Sequence, residues 1–309
     1  MEPVLQWGLD FIRAVQTVSC PALTFVMRII TAIGSWAVFL TALTVLYWCV
    51  NEKKGMRLCL MLIISLWINM SLKFFLDQPR PFFEGYDPSV GMIYERMGGL
   101  PSGHAQNTLV VFFILASWIK KNWVYACAAV LCFLIGFSRI YLGVHFPTDV
   151  IAGWIIGGII LCGYFLLYAR IEKLLEKGGF RAGMIASAAL SFFMILYLPS
   201  KELLMPGGAV LGLGAGYYIN KKYIGFSSNA PFEKTGTKKY IALFARLLFG
   251  TAGFALIFFT GIKFLPQHSA NYKLYGFVLA ALSGFWVSAA SPWVFVRLRL
   301  AGTEQKQNV

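Results

Sequence analysis

An all-α membrane helix bundle is the fold class this sequence predicts, and three observations predict it. Of the 309 residues 58% are hydrophobic and only 13% are charged, where a soluble domain carries about 25% charge. The mean hydropathy is +0.68. Uncharged apolar runs recur at 29–51, 58–72, 105–119, 122–138, 150–169, 182–200, 203–220, 247–262 and 274–296. A spanning helix needs about 20 apolar residues, fewer when charged residues at its ends reach back to the interface. Each run is therefore read as one span, giving about nine transmembrane helices.

The first 28 residues read differently. Leu5, Leu9, Ile12 and Val15 recur at helical spacing with Asp10 and Arg13 between them, the pattern of an amphipathic helix lying on the membrane. A second short helix is expected at 21–33. The chain thus divides into an interfacial segment 1–28, a five-span core 29–170, and an accessory region 171–309 with four spans and a basic tail. Glu2, Asp10 and the missing basic n-region argue against a cleavable leader.

The net charge of +14, from 27 Lys and Arg against 13 Asp and Glu, would suggest nucleic acid in a soluble protein. Here it fits the excess of Lys and Arg in cytoplasmic loops, and no nucleic-acid partner is expected. The cysteines (Cys20, Cys49, Cys59, Cys127, Cys132, Cys162) form no CxxC pair and read as small buried hydrophobes. Gly208, Gly212 and Gly216 recur every four residues, as do Gly153 and Gly157. Both stripes read as tight helix packing, with a homodimer contact as the alternative use.

Two connections are long. That at 221–239 carries Lys221, Lys222, Lys234, Lys238 and Lys239 and reads as a solvated loop. That at 77–103 is rich in Pro and Gly, hence irregular, and long loops of this kind tend to carry function. Of the three histidines, His268 reads as an ordinary loop residue. The other two have informative neighbours. His104 follows Pro101-Ser102-Gly103 at the start of the third span, where a Ser N-cap and free N–H groups make a phosphate cradle. His145 precedes Asp149 by one helical turn, with Pro147 suited to the first turn between them. A carboxylate so placed can hold one ring nitrogen, the pairing that activates a histidine. Each feature alone is also compatible with a structural cap, and Lys73 alone with a lysine snorkelling to the interface.

Topology joins them. Lys73 and Arg80 close span two, Ser102 to His104 open span three, and Arg139, His145 and Asp149 link spans four and five. All emerge on one side of the membrane. Lys73, Arg80 and Arg139 outnumber Asp149 in charge, which suits a phosphate dianion held by guanidinium forks. Three cations oppose a zinc ion on His104, His145 and Asp149, so no metal is expected.

Together these segments resemble the signature of the type 2 phosphatidic acid phosphatases, the lipid phosphate phosphatases, a superfamily shared with vanadium haloperoxidases. The pattern is Lys, six residues, Arg-Pro; then Pro-Ser-Gly-His; then Ser-Arg, five residues, His, three residues, Asp. It is matched without departure at Lys73, Arg80, Pro81, Pro101, Ser102, Gly103, His104, Ser138, Arg139, His145 and Asp149. The likeness covers about 30–170 and says nothing of the last four spans. It implies that His145 attacks phosphorus, that Asp149 orients it, and that His104 protonates the leaving oxygen and then activates water. Lys73, Arg80, Ser102, Gly103 and Arg139 would hold the phosphate oxygens, with no cofactor.

The expected function is hydrolysis of a membrane-lipid phosphomonoester or diphosphate through a phosphohistidine. Undecaprenyl diphosphate, phosphatidylglycerol phosphate, phosphatidic acid and sphingoid phosphates all fit a motif that reads phosphate and not the tail. A lipid flippase or a lipid phosphotransferase with the same pocket is the alternative. The motif-free face collects Lys53, Lys54, Arg57, Lys120, Lys121, Arg170, Lys173, Lys177, Arg181 and the tail residues Arg297, Arg299 and Lys306, while the motif loop is acidic at Asp77, Glu84, Asp87 and Glu95. The expected location is the bacterial inner (plasma) membrane with the active site extracytoplasmic.

Overall fold

The computed structural model describes residues 3–83, 85–95, 97–196, 204–228, 236–264 and 272–303. Glu84, Lys234, His268, Lys306 and the end of the 182–200 run lie outside the described residues. Among the described residues every regular element is helical, with one isolated antiparallel bridge between Phe226 and Thr303.

The helices are α1 (Pro3–Gln16), α2 (Pro21–Ile33), α3 (Trp36–Val45), α4 (Glu52–Leu76), α5 (Gly103–Ile119), α6 (Asn122–Tyr141), α7 (Pro147–Leu196), α8 (Leu204–Ile219), α9 (Thr237–Lys263), α10 (Tyr272–Phe285) and α11 (Ser291–Arg297). Glu52–Leu76, Asn122–Tyr141, Pro147–Leu196, Thr237–Lys263 and Leu274–Arg297 are each long and apolar enough to cross a bilayer. A sixth candidate is α2 with the helix over Trp36–Val50, bent by 45°. The chain is an integral membrane protein. The runs at 105–119 and 203–220 form the shorter helices α5 and α8.

Two runs depart from single straight spans, and a glycine explains each. The 29–51 run bends at Gly34, where a Cβ would stand 2.9 Å from Thr108 Cγ2 and 3.1 Å from His104 Cδ2. Only a bare backbone lets α2 end this close to α5. Within α7, Gly179 takes φ 59° and ψ −144°, a left-handed conformation open to glycine, and separates the 150–169 and 182–200 runs.

The chain divides into two compact units, Met1–Phe39 with Ile64–Tyr168, and Leu40–Ile63 with Ala169–Val309. In the first, the Leu5, Leu9 and Ile12 stripe of α1 is buried against Leu142, Val144 and Phe146, the loop between α6 and α7. The stripe expected to face the membrane thus faces protein, while Val4, Trp7 and Phe11 are exposed. Gln16 Nε2 donates to the carbonyls of Val90 and Tyr141, at 2.8 Å each, and Arg13 pairs with Asp87 at 2.7 Å. These contacts fasten α1 to the long 77–102 loop.

Inside the same unit α4 and α5 share a buried polar ladder. Ser65 Oγ donates to Asn107 Oδ1 at 2.6 Å, Asn69 Nδ2 to Gln106 Oε1 at 2.9 Å, and Gln106 Nε2 to the Ser65 carbonyl at 2.7 Å. Interhelical bonds in lipid average about 0.6 kcal/mol, so the ladder fixes register more than it adds stability. Asn69 Nδ2 also donates to the Pro101 carbonyl at 3.2 Å, which ties the ladder to the start of α5.

In the second unit the Gly208 and Gly212 face of α8 meets the carbonyls of Phe277 and Ala281 on α10, so this glycine stripe packs within the chain. Among the described residues, wide π turns at Leu46–Val50, Asn220–Ile224 and Trp286–Ala290 interrupt its helices. A widened turn releases carbonyls from the helix ladder; Trp48 Nε1 donates to Val287 O at 2.9 Å and Tyr47 Oη to Ser288 O at 3.2 Å. Glu52 accepts from Ser227 Oγ and the Ser228 amide at 3.1 and 2.9 Å.

Candidate active site

Every candidate residue read from the sequence lies in the first unit. Pro147 opens α7, so Asp149 sits in its first turn. From there Asp149 Oδ2 reaches His145 Nδ1 at 3.1 Å and accepts from the Phe146 amide at 3.0 Å. Oδ1 accepts from Gln78 Nε2 at 2.9 Å. The carboxylate is therefore held by three partners and holds the ring in turn.

The other ring nitrogen, Nε2, lies 3.1 Å from Arg80 Nη1. A guanidinium only donates, so Nε2 must accept and the ring proton resides on Nδ1, where Asp149 takes its hydrogen bond. His145 is completely enclosed. Burial lowers its pKa well below 6.5, with Arg80, Lys73 and Arg139 adding to the effect, so the ring is neutral at pH 7. A neutral imidazole with its lone pair on Nε2 is the form that can act as a nucleophile.

Arg80 is fixed on other sides as well. Its Nε donates to Met97 O at 2.6 Å and Nη1 to Val144 O at 2.7 Å. Arg139 Nη1 donates to Thr31 Oγ1 at 2.8 Å. Lys73 Nζ donates to the carbonyls of Gly98 and Gly99, the latter at 3.0 Å. Both arginines are nearly sealed, with 2% and 1% of the side chain exposed, and both pair with Glu95, Arg80 Nη2 at 2.7 Å.

Ser102 occupies the N-cap position of α5, but its hydroxyl makes no cap bond. Its amide donates to Asp149 O at 2.9 Å, which links the second motif to the third. Ser102 Oγ and Arg139 Nε are buried without a hydrogen-bond partner. An unmet buried polar atom costs about 1–3 kcal/mol; one here is on Arg139 itself and the other on Ser102, and both suit the recognition of an anion. Gly103 begins α5 with Asn69 Oδ1 3.0 Å from where a Cβ would stand. His104 is next, in the first turn of α5.

Four contributors were not singled out as site residues in the sequence: Gln78 on Asp149, Thr31 on Arg139, Asn69 beneath Gly103, and Glu95 on both arginines. Glu95 alone had a signal, as an acid in the loop between motifs rich in cations.

Residues 54–173 match the family described as PAP2 superfamily, and residues 204–303 match the PAP2 superfamily phosphatase, transmembrane extension. The second match takes in the region on which the signature was silent. The chain is 28% identical over 175 residues to phosphatidylglycerophosphatase B of Bacillus subtilis, covering 52% of this chain and 82% of that protein. It is 32% identical over 110 residues to undecaprenyl-diphosphatase of Sulfolobus acidocaldarius, covering 35% of this chain and 52% of that one; it thus spans only about half of the latter's length. The crystal structure of the transmembrane PAP2 type phosphatidylglycerolphosphate phosphatase from Bacillus subtilis has 26% identity and a TM-score of 0.48, covering 57% of this chain and 89% of that one. The signature from Lys73 to Asp149 lies wholly inside the first match, the accessory helices answer to the second, and the chain belongs to the PAP2 superfamily.

Proposed function

We propose that this protein is a membrane phosphatase that removes the terminal phosphate of a lipid phosphate or diphosphate through a phosphohistidine on His145. The observation that carries the reading is the pair of contacts on the His145 ring, Nδ1 at 3.1 Å from Asp149 Oδ2 and Nε2 at 3.1 Å from Arg80 Nη1, from which the tautomer with its lone pair on Nε2 follows. In the first step that lone pair forms a bond to phosphorus. The bond to the leaving oxygen breaks, its electron pair stays on that oxygen, and His104 supplies the proton. In the second step water attacks phosphorus while His104 takes its proton, and the P–Nε2 bond breaks to return the neutral ring.

Lys73, Arg80, Arg139, Ser102 Oγ and the amides at the start of α5 would hold the equatorial oxygens. Losing one such donor typically costs about 10²–10³ in rate. With three side-chain cations to balance the developing charge, the scheme needs no metal. The relatives named above are phosphatases of lipid phosphates, and the site lies at helix ends, where a headgroup can enter while its chains remain in the bilayer. Nine spans, with the motif face outside the cytoplasm of a bacterial plasma membrane, complete the proposal. Phosphate release in detergent from undecaprenyl diphosphate, phosphatidylglycerol phosphate, phosphatidic acid and a sphingoid phosphate tests it. Release from at least one, undiminished by chelator, is expected; release from none overturns it.

A further inference from the structure

All three cations of the candidate phosphate site already have partners, and each takes at least one from a single short stretch of the 77–102 loop. Glu95 takes Arg80 and Arg139, the Met97 carbonyl takes Arg80 Nε, and the Gly98 and Gly99 carbonyls take Lys73. The carboxylate has two oxygens, one on each arginine, in the manner of two oxygens of a phosphate. Burial works against its charge, but Arg139 and Arg80 outweigh it and hold the carboxyl below the ordinary range. It is thus an anion.

The two sides of these ion pairs differ in freedom. The arginines are held by Val144 O and Thr31 Oγ1 and are almost fully enclosed, whereas Glu95 keeps 28% of its side chain exposed. The stretch carrying it lies between two backbone ties, Met92 N to Leu142 O at 3.0 Å and Gly99 N to Gln78 O at 2.7 Å. When an anion enters, the carboxylate is the partner with somewhere to go.

We infer that Glu95 is an internal stand-in for phosphate, a carboxylate that occupies the arginine pair between turnovers and must swing out when a phosphoryl group binds. This rests on the phosphatase reading for the identity of the entering group. The carboxylate keeps the buried arginines neutralised between turnovers, at the cost of weaker binding to every anion that must displace it. Substrate and product phosphate carry the same penalty, so the device also limits product inhibition.

The test is direct binding of inorganic phosphate to the full-length protein in detergent, by calorimetry, for wild type, Glu95→Gln and Glu95→Asp. The amide of Glu95→Gln can still accept from one arginine, which preserves the fold, but it no longer competes as an anion. Phosphate should bind at least ten-fold more tightly to Glu95→Gln, with Glu95→Asp between the two. The KM for a short-chain phosphomonoester and the inhibition constant of phosphate should fall together. A residue that merely positions the arginines would do the opposite, so equal or weaker phosphate binding in Glu95→Gln overturns the inference. Turnover by wild type without tighter binding in the variant removes the stand-in and leaves the phosphatase. Tighter binding without turnover on any ester keeps the stand-in and removes the phosphatase. No phosphate binding to any of the three proteins removes the phosphate site, and both with it.

Discussion

Arg80 Nη1 stands 3.1 Å from His145 Nε2 and, in the same fork, 2.7 Å from the Val144 carbonyl. One nitrogen thus ties the backbone at Val144 to the ring of His145, the proposed nucleophile. Lysine could replace the charge but not the three directions in which this guanidinium donates. Arg80→Lys is accordingly expected to lower kcat by about 10²–10³ while the protein still inserts and folds. His145→Ala should abolish turnover and the acid-labile phosphoenzyme altogether. Steady-state and single-turnover assays on a soluble phosphomonoester check both, and full activity of His145→Ala overturns the mechanism.

The enclosed, neutral His145 makes stability depend on pH. Its folded-state pKa lies well below 6.5, the value of a free ring. In the window between the two, the unfolded chain binds a proton that the folded chain refuses, so lowering the pH through 6.5 favours unfolding. Above that window the contribution is constant. The Tm in detergent should fall from about pH 7.5 to about pH 5, and His145→Asn should fall less over the same range. Equal slopes for the two proteins would show that the ring is not held neutral.

Much of the candidate site was legible in the sequence because phosphate recognition demands particular side chains at fixed spacing. The four-residue step from His145 to Asp149 works only when Pro147 starts a helix, and α7 starts there. Ser102 was legible as an N-cap position, but its hydroxyl makes no cap bond, since cap geometry depends on backbone torsions that composition does not carry. Glu95 could be read only as loop charge, because its pairing with Arg80 and Arg139 is tertiary and crosses an irregular segment. The α4–α5 ladder was hidden for another reason. Ser65, Asn69, Gln106 and Asn107 are uncharged and sit inside apolar runs, where hydropathy averages over them. Periodicity found the α1 stripe but could not say whether Leu5, Leu9 and Ile12 face lipid or protein.

Gly153 connects helix packing to the site. A Cβ there would stand 2.6 Å from the Ser102 carbonyl and 3.0 Å from Ala105 Cβ, so α7 and the start of α5 are in direct backbone contact. Gly153→Leu should push Ser102 and His104 away from His145, with overpacking of about 1–3 kcal/mol and a large fall in kcat. Gly158, five residues further on, has nothing within 4 Å of its Cβ position, and Gly158→Ala should leave activity unchanged and raise Tm slightly, since alanine favours a helix interior. Matched losses in the two variants would mean that any side chain added along this helix, and not contact with Ser102, causes the effect.

Sidedness can be tested across a single helix. α5 runs from Gly103 to Ile119, 17 residues, or about 26 Å at 1.5 Å per residue. That falls slightly short of a hydrocarbon core of about 30 Å, and Lys120 and Lys121 at its far end can reach an interface by extending their side chains. Tyr94 precedes α5 on the acidic motif loop and Lys121 follows it; both are exposed. The excess of Lys and Arg on the Lys121 side predicts that this side faces the cytoplasm. Single cysteines at the two positions, introduced as Tyr94→Cys and Lys121→Cys on a cysteine-free background, can be probed in intact cells with a membrane-impermeant thiol reagent. Labelling at 94 and protection at 121 until the cells are permeabilised is the expected pattern. The reverse pattern would place the site in the cytoplasm, and labelling of both before permeabilisation would mean that α5 does not cross the membrane.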